Sequence, residues 1–117
     1  MRIEDSHPFY RAIDKAAHLR AGLLGLPYGD QGIFIRRSVF ESIGGFPEVP
    51  LMEDVMISLR LRHEGRLAVL PARIFVSPRR WRQHGIIRQT LKNWTLTAAA
   101  ILGVSTAFLA SFYPPIR

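Results

Sequence analysis

Tyr28-Gly29-Asp30-Gln31-Gly32-Ile33-Phe34-Ile35-Arg36-Arg37 is the stretch whose reading decides the fold of this chain. Gly and Asp are turn formers, and the residues from Gln31 to Arg36 are rich in strand formers, so the stretch reads as a turn running into a strand. Ser38 to Ile43 then reads as a short helix ended by Gly44, which completes a strand-to-helix unit. Downstream, Gly44-Gly45-Phe46-Pro47 leads to Leu51-Met52-Glu53-Asp54-Val55, where an acidic pair stands at the start of a helical pattern. A turn and strand beside an acidic pair suggest the wall of an active site.

The flanking segments extend this reading. Ser6 or His7 opens a helix with Pro8 in its first turn, and Phe9, Ile13, Ala16, Ala17, Arg20 and Leu24 recur at helical spacing before Gly25 stops it. From Glu53 to His63, Val55, Met56, Leu59 and Leu61 supply an apolar side and Arg60, Arg62 and Glu64 a polar one, with Gly65 as the stop. Leu67 to Leu70 and Ile74 to Ser77 read as short strands around Pro71, and Arg79-Arg80-Trp81-Arg82 as a basic, aromatic loop. The expected architecture is therefore mixed α/β.

The last segment differs in kind. Ile87, Leu91, Trp94, Ala98 and Ile101 mark one face of a long helix, with Arg88, Gln89 and Lys92 on the other face near its beginning. No charged residue occurs from Asn93 to Ile116. Asn93, Thr95, Thr97, Gly103 and the prolines make this stretch a poor membrane span. Packing on the core or a partner and a peripheral amphipathic contact with a membrane both remain open.

Composition sets the outer limits. A chain of 117 residues forms one domain with a real core, and 48% hydrophobic with 21% charged residues are globular values. With no cysteine there is neither a disulfide framework nor a thiolate metal site, and a reducing, cytoplasmic setting fits. The N-terminus is acidic, lacks an apolar core and reads as no signal peptide. The net charge is +7, and every basic residue except Lys15 and Lys92 is arginine. Arginine suits phosphate, so the excess is either a set of solvated faces or a preference for an anionic partner. No zinc-finger spacing, RNA-binding aromatic motif or run rich in Lys and Arg is present, which sets nucleic acid aside.

In order and spacing, Gly29 to Arg37, Phe40 to Pro47, Leu51 to Val55, Arg60-Leu61 and Gly65 together resemble the acceptor-side half of family 2 glycosyltransferases. The resemblance is to the bacterial subgroup that carries a Tyr-Gly-Asp-Gln motif, and it covers about Ala17 to Trp94. It implies a partial GT-A, Rossmann-like α/β fold over residues 1–85, followed by an amphipathic helical segment over 86–117. It also implies transfer of a sugar from a nucleotide-sugar donor to a hydroxyl acceptor, in the cytoplasm or peripheral to the inner membrane.

By the same resemblance Asp54 is the general base, since a carboxylate near an acceptor hydroxyl takes its proton as the oxygen attacks the anomeric carbon. Read from the residues alone, Asp54 is also an ordinary first-turn acid at a helix N-terminus, where negative charge is favoured. Glu53 is a supporting or capping residue. Gly29, Asp30 and Gln31 are acceptor-binding candidates, the glycine for close approach of a sugar and the two side chains for its hydroxyls; a plain turn is the alternative. Arg79, Arg80 and Trp81 are diphosphate-binding candidates because arginine forks match a diphosphate leaving group. Ser77 stands where processive relatives have glutamine, which argues against processive synthesis. His84 reads as a cap or surface residue, and Gly44 and Gly45 as a helix stop and tight turn.

The nucleotide-binding half of such an enzyme, with its Asp-x-Asp metal motif, has no counterpart in this sequence. A divalent metal, Mg or Mn, is implied by the resemblance without ligands identifiable here. The expectation is a chain inactive alone, with a donor-half chain or a second copy as possible partners. The alternative is a non-catalytic module that binds a partner or a membrane periphery.

Overall fold

The computed structural model describes residues 1–113. Residues 114–117, which include Pro114-Pro115 and the end of the 86–117 segment, lie outside the described residues.

Helix α1 (Pro8–Leu24) forms where the sequence expects it. His7 caps it by accepting the Phe9 N–H on Nδ1 at 3.2 Å, and Pro8 supplies a pre-set φ in the first turn. Gly25 ends it with φ 61°, its N–H returning to the Ala21 carbonyl. The buried face is Tyr10, Ile13, Ala17 and Ala21, while Phe9 and Leu24 are exposed. The apolar stripe is thus turned by one residue from the expected one.

Strand β1 (Arg2–Ile3) pairs in parallel with β2 (Phe75–Val76), Ile3 lying opposite Val76. Ile3, Tyr10, Ile13 and Trp81 form one buried cluster under this ribbon. Burying a side chain of this size contributes about 1.5–3 kcal/mol.

The expected α/β, Rossmann-like architecture is overturned. The chain is mostly helical, and β1 and β2 are the only strands among the described residues. Gly29–Gln31 is a 3-10 turn and residues 32–36 after it have no regular structure, Leu67 to Leu70 is also irregular, and Ile74 to Ser77 contributes two strand residues. Strand propensity measures fit to a pleated surface with neighbours on both sides, so a strand former without a partner strand remains a loop. Phe34, 83% exposed, shows the consequence. Gly32 adopts φ +70°, and a Cβ there would overlap the Ile74 side chain, so the loop at Gly32 lies tightly against the residue preceding β2.

Helix α2 (Arg37–Ser42) ends in a turn in which the Gly45 N–H returns to the Phe40 carbonyl and Phe46 packs edge-on to Phe40 at 5.7 Å. Helix α3 (Glu53–Glu64) starts at the acidic pair, stops at Gly65, and buries Val55, Ile57, Ser58 and Leu61. The segment expected as a basic loop is instead helix α4 (Arg79–His84), which places Trp81 in the core while Arg79 and Arg82 face outward. Helix α5 (Ile86–Ile101) and helix α6 (Thr106–Ser111) follow, joined through Gly103. Leu96, Ala100 and Leu109 make the second cluster, covered by Leu51, Met52 and Met56.

Helix α5 buries Gln89, Thr90, Leu96, Thr97 and Ala100, and its Ile87–Leu91–Trp94 side is exposed. The polar side turns inward because its groups find partners there. Gln89 donates to Asn93 at 2.8 Å, Thr90 accepts the Trp81 indole N–H at 3.2 Å, and Thr97 shares a 2.6 Å hydrogen bond with the Tyr28 hydroxyl.

Candidate functional site

The parts of the sequence expected to carry chemistry converge on one cleft of about 870 Å³. Asp30, from the 3-10 turn, and Glu53 and Asp54, from the start of α3, stand on it together with Arg79, Arg80 and Trp81 of α4. Gln89, Asn93 and Thr97 of α5 also line it, as does Tyr113 beyond α6. Three carboxylates and two guanidinium groups therefore line the same cleft.

Asp54 is the fixed point of the acidic wall. Its Oδ2 accepts the Gly29 N–H at 2.6 Å and its Oδ1 accepts the Val55 N–H at 2.8 Å, so both oxygens are oriented by backbone. An ionised carboxylate has about four acceptor positions, which leaves capacity for a ligand hydroxyl. Just before the pair, Met52 adopts φ 65°, a left-handed conformation that a residue with a side chain seldom takes. That turn directs the chain into the first turn of α3, where Met56 N–H closes on the Met52 carbonyl at 2.9 Å.

Asp30 shares the wall. Asp30 is exposed as a residue, yet the surrounding protein crowds its carboxyl, and this desolvation raises its pKa from the ordinary value. The Arg20 charge opposes the rise and the Asp54 charge adds to it.

Gln31, expected to touch an acceptor, is engaged within the fold. Its Oε1 accepts from the Arg20 guanidinium at 2.6 Å and the Tyr28 N–H at 3.0 Å, and its Nε2 donates to the Ala17 carbonyl. Gln31 thereby fastens the turn to α1. Arg20 also donates to the Leu26 carbonyl and lies 3.3 Å above the Tyr28 ring centroid, a cation–π contact. Burial draws the Arg20 pKa below its usual value, opposed by Tyr28, Asp30 and Asp54.

On the basic wall the candidates divide. Trp81 spends its indole N–H on Thr90 and packs edge-on to Tyr10 at 6.1 Å, so its part is to seat α4. Arg80 lies 4.5 Å over the Tyr113 ring, and Arg79 is exposed at the first turn of α4. Arg82 is committed to Asp5 at 2.7 Å. Among the described residues no three His, Asp or Glu side chains gather as a metal site. The divalent ion that the resemblance implies has no ligands identifiable among the described residues.

Sequence reasoning missed Tyr28, Arg20 and the stripe Gln89, Asn93, Thr97. The stripe had a signal: polar residues spaced by four share one helix face. No family model, no curated protein and no solved structure matches the chain.

Proposed function

We propose that the cleft is the acceptor-side site of a sugar transfer from a nucleotide-sugar donor to a hydroxyl, with Asp54 as general base. The reading rests on the resemblance to family 2 glycosyltransferases and on one observation. Residues from three separate stretches, Asp30, Glu53-Asp54 and Arg79-Arg80, line a single cleft.

The chemistry follows from these residue types. A hydroxyl oxygen forms its bond to the anomeric carbon as the bond to the nucleoside diphosphate breaks, and Asp54 accepts the hydroxyl proton. Arg79 and Arg80 stabilise the negative charge that develops on the departing diphosphate. A single displacement inverts the anomeric centre. Asp54 is oriented by two backbone N–H groups, so its carboxylate needs no rearrangement to meet the acceptor.

Binding of a diphosphate without sugar transfer is the expected behaviour of these 117 residues alone, which contain no Asp-x-Asp motif. Titration with a uridine or thymidine diphosphate followed by NMR is the test. Shifts at Arg79, Arg80 and Asn93 that disappear in Arg79→Gln/Arg80→Gln support the reading. Shifts confined to other surfaces would remove it, and sugar-nucleotide turnover abolished by Asp54→Asn would remove the expectation of inactivity alone.

A further inference from the structure

The exposed side of α5 is the second feature that asks for a partner. Ile87, Leu91, Trp94, Ala98 and Ile101 follow helical spacing along one side of a helix of 16 residues, and Leu102 extends the stripe. Ile87 is 62%, Leu91 56% and Trp94 51% exposed. Phe108 and Phe112 of the following segment are also exposed and stack edge-on at 5.1 Å. A continuous apolar stripe of this length on a surface helix marks an interaction site.

Charge identifies the partner. All nine acidic residues of the chain lie between Glu4 and Glu64, whereas residues 65–117 hold seven arginines, one lysine and no acid. Arg88 and Lys92 sit one helical turn apart and both border an apolar groove lined by Leu96 and Leu109; Arg88 lies nearer the exposed stripe, and the Lys92 ammonium lies 5.3 Å from the Tyr113 ring centroid. No helix among the described residues is long and apolar enough to cross a membrane. An amphipathic helix with exposed Trp, aliphatic side chains and flanking cations has the make-up of an interfacial element lying flat on anionic lipid. A second copy paired in parallel through this stripe would bring Arg88 and Lys92 of each copy together without acids to offset them, and an antiparallel dimer is the competing occupant that size exclusion tests.

We infer that the Ile87–Leu102 side of α5 docks on the surface of an anionic phospholipid bilayer, with Trp94 at the headgroup level and Arg88 and Lys92 on lipid phosphates. This docking does not depend on the chemistry of the cleft. The test is flotation of the whole chain with phosphatidylcholine vesicles, with and without phosphatidylglycerol, at low and at physiological salt. The expected result is binding only to the anionic vesicles, weakened by salt, with a blue shift of Trp emission that is absent in Trp94→Phe. Arg88→Gln/Lys92→Gln should lower the partition coefficient about 25-fold, roughly five-fold for each cation removed.

Leu91→Glu should abolish binding while circular dichroism stays unchanged, because the side chain is exposed. Equal binding to neutral and anionic vesicles, or no binding to either, would overturn the inference. So would a concentration-dependent dimer in size exclusion that Leu91→Glu dissolves. Loss of diphosphate binding in the cleft with lipid binding intact would strike the proposed function alone.

Discussion

The Gly29 N–H donates to Asp54 Oδ2 over 2.6 Å, a bond between residues 25 apart in sequence that ties the 3-10 turn to the first turn of α3. The Asp54 carboxylate thus has a structural duty alongside its proposed chemical one. Asp54→Ala removes the acceptor for both Gly29 and Val55 and should cost about 1–2 kcal/mol in urea unfolding. Asp54→Asn retains an acceptor oxygen and should cost less than the alanine variant. Amide hydrogen exchange at Gly29 should quicken in the alanine variant; unchanged exchange would mean that this bond contributes nothing to the turn.

Gln31 is expected to behave as a structural residue. Gln31→Ala removes an acceptor shared by Arg20 and the Tyr28 N–H and a donor to Ala17, leaving a half-buried guanidinium short of one partner. A loss of about 2 kcal/mol is expected by chemical denaturation. Gln31→Glu restores an acceptor for Arg20 and should recover part of that loss. Ligand affinity per folded molecule should be unaffected in both variants.

The pH dependence separates two aspartates by sign. Crowding by protein raises the Asp30 pKa above its ordinary 3.8, so its ionisation opposes folding. That cost is absent below the unfolded value and grows as pH rises through the raised folded value. Asp30→Asn should therefore increase the urea midpoint at neutral pH and leave it unchanged below 3.8. Asp5 works in the opposite direction: its hydrogen bond to Arg82 lowers its pKa, so its stabilisation is present above 3.8 and lost as pH falls through the folded value. Asp5→Asn should lower the midpoint at neutral pH, modestly because the pair is solvent-exposed.

Local punctuation in the sequence was reliable because it depends on few residues. His7, Pro8 and Gly25 bound α1, and Glu53 and Gly65 bound α3, as their chemistry dictates. The strand reading of Gln31 to Arg36 failed because a strand needs a neighbour, and that information is not local. The loop reading of Arg79 to Arg82 failed for a related reason: Trp81 gains a buried place beside Tyr10 and a hydrogen bond to Thr90, and this packing favours a helical turn. Asp30 and Asp54, both singled out from the sequence, line the same cleft. Nothing in the sequence shows that Arg20, eleven positions away, takes the side-chain oxygen of Gln31.

Met52 offers the sharpest test of how the acidic pair is held. Its φ of 65° places it in the left-handed region, where a side chain costs about 1–2 kcal/mol and glycine costs little. Both Met52→Ala and Met52→Gly lose the contact of the methionine side chain with the Leu96 cluster, so the difference between them isolates the backbone. In ordinary helical positions alanine is the more stabilising of the two. Here the order should reverse, with Met52→Gly more stable than Met52→Ala by about 1 kcal/mol in urea titrations. If alanine proves the more stable, the left-handed turn is not what sets Glu53 and Asp54 at the cleft.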